Sequence, residues 1–117
     1  MTEFSADVEW TGDGVFLLTL TGEVDLHTAP EVRERLTEAS MKRANLAVVD
    51  LSSVTFIDSM TLGVLLGANK RLRACGAQLR VVVPTDGGIR RIFEITLLDK
   101  IFLLYETRAE ALSRAEA

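Results

Sequence analysis

Cysteine and histidine each occur once in this chain of 117 residues, as Cys75 and His27. One thiol cannot close a disulfide within the chain, and one thiol with one imidazole cannot build a typical structural zinc site. No metal centre is therefore expected, and a reducing, cytoplasmic compartment is the natural one. Aromatic residues make up only 6% of the chain, so the core has to be aliphatic. Basic residues are outnumbered, 13 Lys and Arg against 17 Asp and Glu, for a formal net charge of −4. With no concentrated basic surface and no helix-turn-helix, zinc-finger or RNA-binding signature, nucleic acid is not an expected partner. No apolar run approaches the roughly 20 residues that span a bilayer, which argues against membrane insertion. The first ten residues carry Glu3, Asp7 and Glu9 and no apolar segment of the kind a secretory signal needs. A glycine-rich phosphate loop, a Gly-x-Ser-x-Gly elbow and a nucleophile–base pair are all missing. The chain is thus expected to be no enzyme, with no catalytic residue and no cofactor. Binding to another protein is the expected activity.

What is present is ordinary for a folded domain: 48% hydrophobic and 26% charged residues, enough apolar material to exclude disorder. The length suits a single domain over 1–117. Phe4, Ala6, Val8 and Trp10 alternate with Ser5, Asp7 and Glu9, the period-two pattern of a strand with one wet face. Gly12-Asp13-Gly14 is turn chemistry, and 15–20 reads as a second strand, giving an N-terminal hairpin. A turn over 22–26 leads into a helix capped by Thr28, with Glu31 completing a Thr-x-x-Glu capping box and Pro30 in the first turn. Val32, Leu36 and Ala39 form its buried stripe.

The runs 46–51 and 79–83 are nearly continuous in apolar residues, as suits strands covered on both faces in a parallel sheet. Between them 59–75 has helical length, closed by Gly76. Residues 84–88 read as a turn, and Ile89, Ile92 and Phe93 mark a third helix. A last strand spans 101–105, and Thr107-x-x-Glu110 opens a short helix carrying Ala109 and Leu112. The order β-β-α-β-α-β-α-β-α defines an α/β fold. Its sheet is mixed, with an N-terminal hairpin edge and a largely parallel remainder packed against helices.

The most informative stretch is Val54-Thr55-Phe56-Ile57-Asp58-Ser59-Met60-Thr61-Leu62-Gly63-Val64-Leu65-Leu66-Gly67. The buried strand is expected to end at Leu51, and a short apolar link then delivers a polar cluster to a helix start. A serine there meets unpaired backbone N–H groups and the positive end of the helix dipole, which can hold an added phosphate. Ser59 is the candidate, and Asp58 competes with it for the capping position. Leu62, Leu65, Leu66 and Leu72 read as the core side of this helix. Met60, Val64, Gly67, Ala68 and Arg71 fall on a second face, expected to be partly exposed as a contact patch. Gly63 and Gly67 read as sites of close approach to the sheet, and Cys75 as buried and inert. Lys70, Arg71 and Arg73, and separately Arg90 and Arg91, read as solvated faces.

These residues resemble the STAS-domain family, and within it the bacterial anti-sigma factor antagonists. The likeness is carried by Leu20-Thr21-Gly22-Glu23-Val24-Asp25 with Thr28-Ala29-Pro30, by Val48-Val49-Asp50-Leu51-Ser52 running into Phe56-Ile57-Asp58-Ser59, and by Leu62-Gly63-Val64-Leu65. Arg90-Arg91-Ile92-Phe93-Glu94 and Leu98-Asp99-Lys100-Ile101-Phe102 look like the family's C-terminal part. The resemblance implies that Ser59 matches the serine phosphorylated by a cognate anti-sigma factor kinase, a serine kinase with a histidine-kinase-like ATPase fold. It implies that the unphosphorylated chain binds that anti-sigma factor and frees a sigma factor, and that a metal-dependent serine phosphatase restores this state. Asp25 and Asp58 match the flanking acidic residues. The family usually reads Asp-Ser, then Ser or Thr, then Gly; Met60 and Thr61 fill the last two places here. Thr61 is thereby a second candidate acceptor, and Asp25, Asp58, Ser59, Met60, Thr61 and Val64 form the expected partner-binding set.

Other functions compete. A different STAS role, as a scaffold in a stress-signalling assembly or an accessory subunit of a lipid transporter, would keep the fold without control at Ser59. Asp50 at a strand end suggests a receiver-domain acceptor, but the acidic pair and the late lysine which that chemistry requires are missing. Asp25 can equally serve as a turn residue bonding its own backbone.

Overall fold

The computed structural model describes residues 3–113. A five-stranded sheet runs β1 (Ser5–Thr11), β2 (Val15–Val24), β3 (Leu46–Ile57), β4 (Gln78–Val82) and β5 (Leu103–Tyr105), with the strands side by side in chain order. Only β1 and β2 are antiparallel; β2–β3, β3–β4 and β4–β5 are parallel. Helices α1 (Ala29–Met41), α2 (Ser59–Ala74) and α3 (Gly88–Ile95) are the crossovers, and α4 (Arg108–Leu112) follows the last strand.

The hairpin closes through a 3₁₀ turn at Gly12–Gly14. Gly14 adopts φ +76, and a Cβ there would come within 2.7 Å of the Asn45 side-chain nitrogen. That nitrogen donates to the Asp13 carbonyl at 2.7 Å, so the turn is pinned to the start of β3 and only glycine fits.

Period-two alternation sorts the strand residues between two clusters. Phe16, Leu18 and Leu20, Ala47, Val49 and Leu51, and Leu79, Val81 and Val83 face the large core with α1, α2 and α3. Val15, Leu17, Leu46, Val48 and Val82 face the other side, where Ala111 of α4 covers them. The expected α1 stripe of Val32, Leu36 and Ala39 is fully buried. Buried charges hold α4 in place. Arg108 donates to Asp50 Oδ2 and to Thr19 Oγ1 at 2.9 and 3.0 Å, and Asp50 Oδ1 accepts from Ser52. Arg80 donates to the Ala111 carbonyl at 2.8 Å and stacks on Tyr105.

Several expectations require correction. β2 runs to Val24 and β3 to Ile57, past the expected ends at Leu20 and Leu51. Register shifts between Thr19 and Thr21 and between Gly22 and Glu23 break the alternation that would have revealed them. Thr28 does not cap α1: it is helical itself, and its hydroxyl accepts instead from Asp25 N–H at 2.9 Å. Val64 and Ala68, expected on an exposed face of α2, are 5% and 0% exposed because α1 packs there. Gly63 and Gly67 do not serve close approach to the sheet, since a Cβ on Gly63 meets nothing within 4 Å and one on Gly67 meets only Arg71. Cys75 is exposed. Ile101 lies before β5, and in α4 Ala111, not Ala109, is buried. The Thr107 cap is present, accepting from Glu110 N–H at 3.1 Å.

Candidate functional site

The C-terminal ends of β2 and β3 pair to their last residues, Val24 with Ile57. The two turns that follow, 25–28 and the start of α2, therefore lie side by side. Asp58 sits between them in extended conformation (φ −109, ψ 177) and caps α2, accepting from Thr61 N–H at 2.9 Å. Its own N–H donates to the Val24 carbonyl at 3.3 Å, and the Leu26 N–H adds to the favourable field at its carboxylate. These bonds favour the ionised form, led by the Thr61 N–H, and hold the Asp58 carboxyl below its ordinary value despite partial desolvation.

Thr61 is 0% exposed. Its hydroxyl lies 3.0 Å from Asp58 Oδ1 and 3.2 Å from the Val24 carbonyl, able to donate to either. The residue that stands at the usual glycine position thus fastens the helix start to the end of β2. Neither Thr61 nor Val64 belongs to the surface: both are in the core, against the expectation that they would meet a partner.

Ser59 is the first residue of α2 and is exposed. The N–H groups of the first helical turn have no intrahelical carbonyl, and Asp58 satisfies only that of Thr61. No acidic residue lies within that turn. Asp25 is half-buried and folds on itself: its Oδ1 accepts from His27 N–H at 2.9 Å, and its carbonyl accepts from Thr28 and Ala29 N–H. It therefore serves as the turn residue that sets the 25–28 loop.

Leu26 in the turn after β2, Phe56 near the end of β3 and Met60 next to Ser59 leave 58%, 49% and 54% of their surface in water, and Gly63 follows one turn along α2 as an exposed residue without a side chain. Of the expected set, Asp25, Asp58, Ser59 and Met60 come together. Leu26 and Phe56 join them unforeseen. Phe56 follows exposed Thr55 on β3, so an irregular strand turns it outward where strict alternation would not. Among the described residues no cluster of His, Cys, Asp and Glu could hold a metal ion, and no helix is long and apolar enough to cross a membrane.

The STAS domain family matches residues 10–111, and this chain belongs to that family. Its curated relatives include an anti-sigma F factor antagonist of Paenibacillus polymyxa, 33% identical over 104 residues that span 88% of each chain. An anti-sigma-B factor antagonist of Listeria monocytogenes is 36% identical over 91 residues, covering 78% of this chain and 79% of the relative. The crystal structure of an anti-sigma factor antagonist from Mycobacterium paratuberculosis superposes with a TM-score of 0.87 at 30% identity, covering 98% of this chain and 96% of that one.

Proposed function

We propose that this chain is an anti-sigma factor antagonist switched by phosphorylation of Ser59. Unphosphorylated, it binds an anti-sigma factor that is also a serine kinase of histidine-kinase-like ATPase fold, and so releases a sigma factor. A metal-dependent serine phosphatase returns it to the binding state. The observation that carries this reading is the setting of Ser59: an exposed residue at the first position of a helix capped by Asp58, followed by exposed Met60 and set at the paired ends of β2 and β3, beyond which Leu26 and before which Phe56 are also exposed. The names of the relatives supply the partner class.

A phosphoserine adds about −1.5 to −2 charges at neutral pH. Asp58 is ionised beside it, and two unit charges about 5 Å apart at an effective dielectric near 20 repel by roughly 3 kcal/mol. The helix dipole offsets about 1–2 kcal/mol of that. The patch therefore becomes acidic while the helix keeps its cap. The test is affinity capture from a lysate of the source cell with wild type and Ser59→Asp as bait, read by mass spectrometry. A histidine-kinase-like ATPase retained by wild type and lost with Ser59→Asp is the expected result. The same partners on both baits, or transporter subunits on wild type, would sink the proposal.

A further inference from the structure

β3 outruns one of its neighbours. Its pairing with β4 ends at Asp50 and Val82, while its pairing with β2 continues to Ile57. β4 cannot follow, because the chain reaches Pro84, which has no N–H, and turns into α3. Among the described residues, no strand therefore lies beside the β4-facing edge of 51–57. In a strand paired on one side only, the N–H and C=O groups of alternate residues point to the open side. The Ser52 N–H is met by Asp50 Oδ1 at 2.9 Å. The edge beyond it remains a template for another chain.

The sequence guards the other edges of the sheet but not this one. β1 carries exposed Asp7 and Glu9, and β5 is three residues long, two usual protections against strand addition. The stretch Leu51-Ser52-Ser53-Val54-Thr55-Phe56-Ile57 has no charge and no proline, and its second half is rich in strand-favouring residues. Its one protection is the pair of register shifts against β2, which limits any added ladder to a few residues. In front of this edge lies a groove of about 480 Å³, whose opposite wall is the 84–88 turn with Ile89 and Ile92 of α3. Gly87 and Gly88 stand on that wall, and nothing within the chain requires glycine there. Neither has a positive φ. A Cβ on Gly88 would meet nothing within 4 Å, and one on Gly87 only the Pro84 carbonyl at 3.8 Å. The space they leave admits a second backbone at close range. Phe56 lines the groove and is 49% exposed. It stands shortly before Ser59 in the chain, so the groove opens beside the Ser59 surface.

We infer that a partner seated over Ser59 adds an extended, uncharged, apolar segment to β3 in this groove. The segment's backbone pairs with the open edge of 52–56, and its side chains lie on Phe56, Ile89 and Ile92. That the segment belongs to the anti-sigma factor rests on the Ser59 reading; the groove's fit to an extended backbone does not.

The first test needs no partner. The full ¹⁵N-labelled chain is titrated with an acetylated, amidated peptide of alternating Thr and Val, and with the same peptide N-methylated at every amide. Saturable amide shifts are expected within 51–57 and 86–92 for the first peptide and none for the second, because N-methylation removes the donors that a ladder needs. Gly88→Leu fills the groove. It is expected to abolish peptide binding while Tm stays unchanged or rises, because a glycine at an ordinary helical position is replaced. The proposal is overturned by an absence of saturable shifts, by the N-methylated peptide binding equally well, or by Gly88→Leu binding like wild type. The comparison of the two peptides on wild type decides the matter should Gly88→Leu not fold. The second test uses the ATPase captured on the Ser59 bait. In that complex hydrogen exchange within 52–56 is expected to slow, and Gly88→Leu is expected to weaken capture; exchange unchanged from the free chain would overturn the proposal. Failure to capture such an ATPase counts against the Ser59 reading alone, and failure of the peptide against this one alone.

Discussion

Two residues govern the geometry of the Ser59 surface, and each can be removed singly. Asp58 caps α2 and ties the 25–28 turn to it, so Asp58→Ala is expected to cost about 0.5–2 kcal/mol in urea unfolding, while Asp58→Asn costs less because an amide oxygen still caps. The carboxylate also sets a pH dependence. Its folded pKa is depressed, so its ionised form favours the fold. That contribution is complete above the unfolded value of about 3.9 and is lost as pH falls through the lower folded value. Stability curves of wild type and Asp58→Asn should therefore differ above pH about 4 and converge in more acid solution; curves that stay parallel down to the acid limit would contradict this. Thr61→Val deletes the hydroxyl between Asp58 and Val24 and is expected to cost about 1 kcal/mol. Because Thr61 is fully buried, chain phosphorylated in its source cell should carry a single phosphate, on Ser59, when mapped by peptide mass spectrometry.

At the level of elements, α4 is five residues long, too short to hold its shape alone. It stays because Arg108 reaches Asp50 and Thr19 on the sheet and because Ala111 seals the second cluster. Arg108→Ala strands the buried Asp50 carboxylate with Ser52 as its remaining partner. Arg108 itself is 44% exposed, so the cost should fall below the 3–5 kcal/mol typical of a fully buried pair, at about 1–3 kcal/mol. Hydrogen exchange should quicken first in α4 and β5. Rapid exchange spread evenly over the sheet would mean that the ion pair does not anchor α4. Strand β1 and helix α1 were legible in the sequence because each has one wet face and so displays its period. The extensions of β2 and β3 were not, since register shifts scramble alternation just where the strands approach the site. The second face of α2 was misjudged for a tertiary reason: Val64 and Ala68 are apolar at helical spacing whether α1 or water covers them. Asp58, Ser59 and Asp25 were legible through their order in the chain. Leu26 and Phe56 were not, because exposure of an apolar side chain is decided by the assembled surface.

For the molecule as a whole, the proposed switch requires a fold that does not respond to the charge it would carry. Ser59 is exposed and its helix is capped by another residue, so Ser59→Glu should leave the amide spectrum outside 24–28 and 56–63 unchanged. Its stability should shift by no more than about 0.5 kcal/mol, as for most surface substitutions. What changes is the potential of a patch that already holds ionised Asp58, on a chain whose net charge is −4. Bulk and charge can be separated with Ser59→Gln, which matches Glu in size and shape without its charge. If repulsion drives the partner away, Ser59→Gln should retain most of the binding that Ser59→Glu loses, and raising the salt concentration should partly restore the latter as exposed charges are screened. If Gln and Glu abolish binding alike and salt has no effect, the surface around Leu26, Phe56 and Met60 is closed to any side chain larger than serine. The switch would then be steric, set by how closely the partner approaches the first turn of α2.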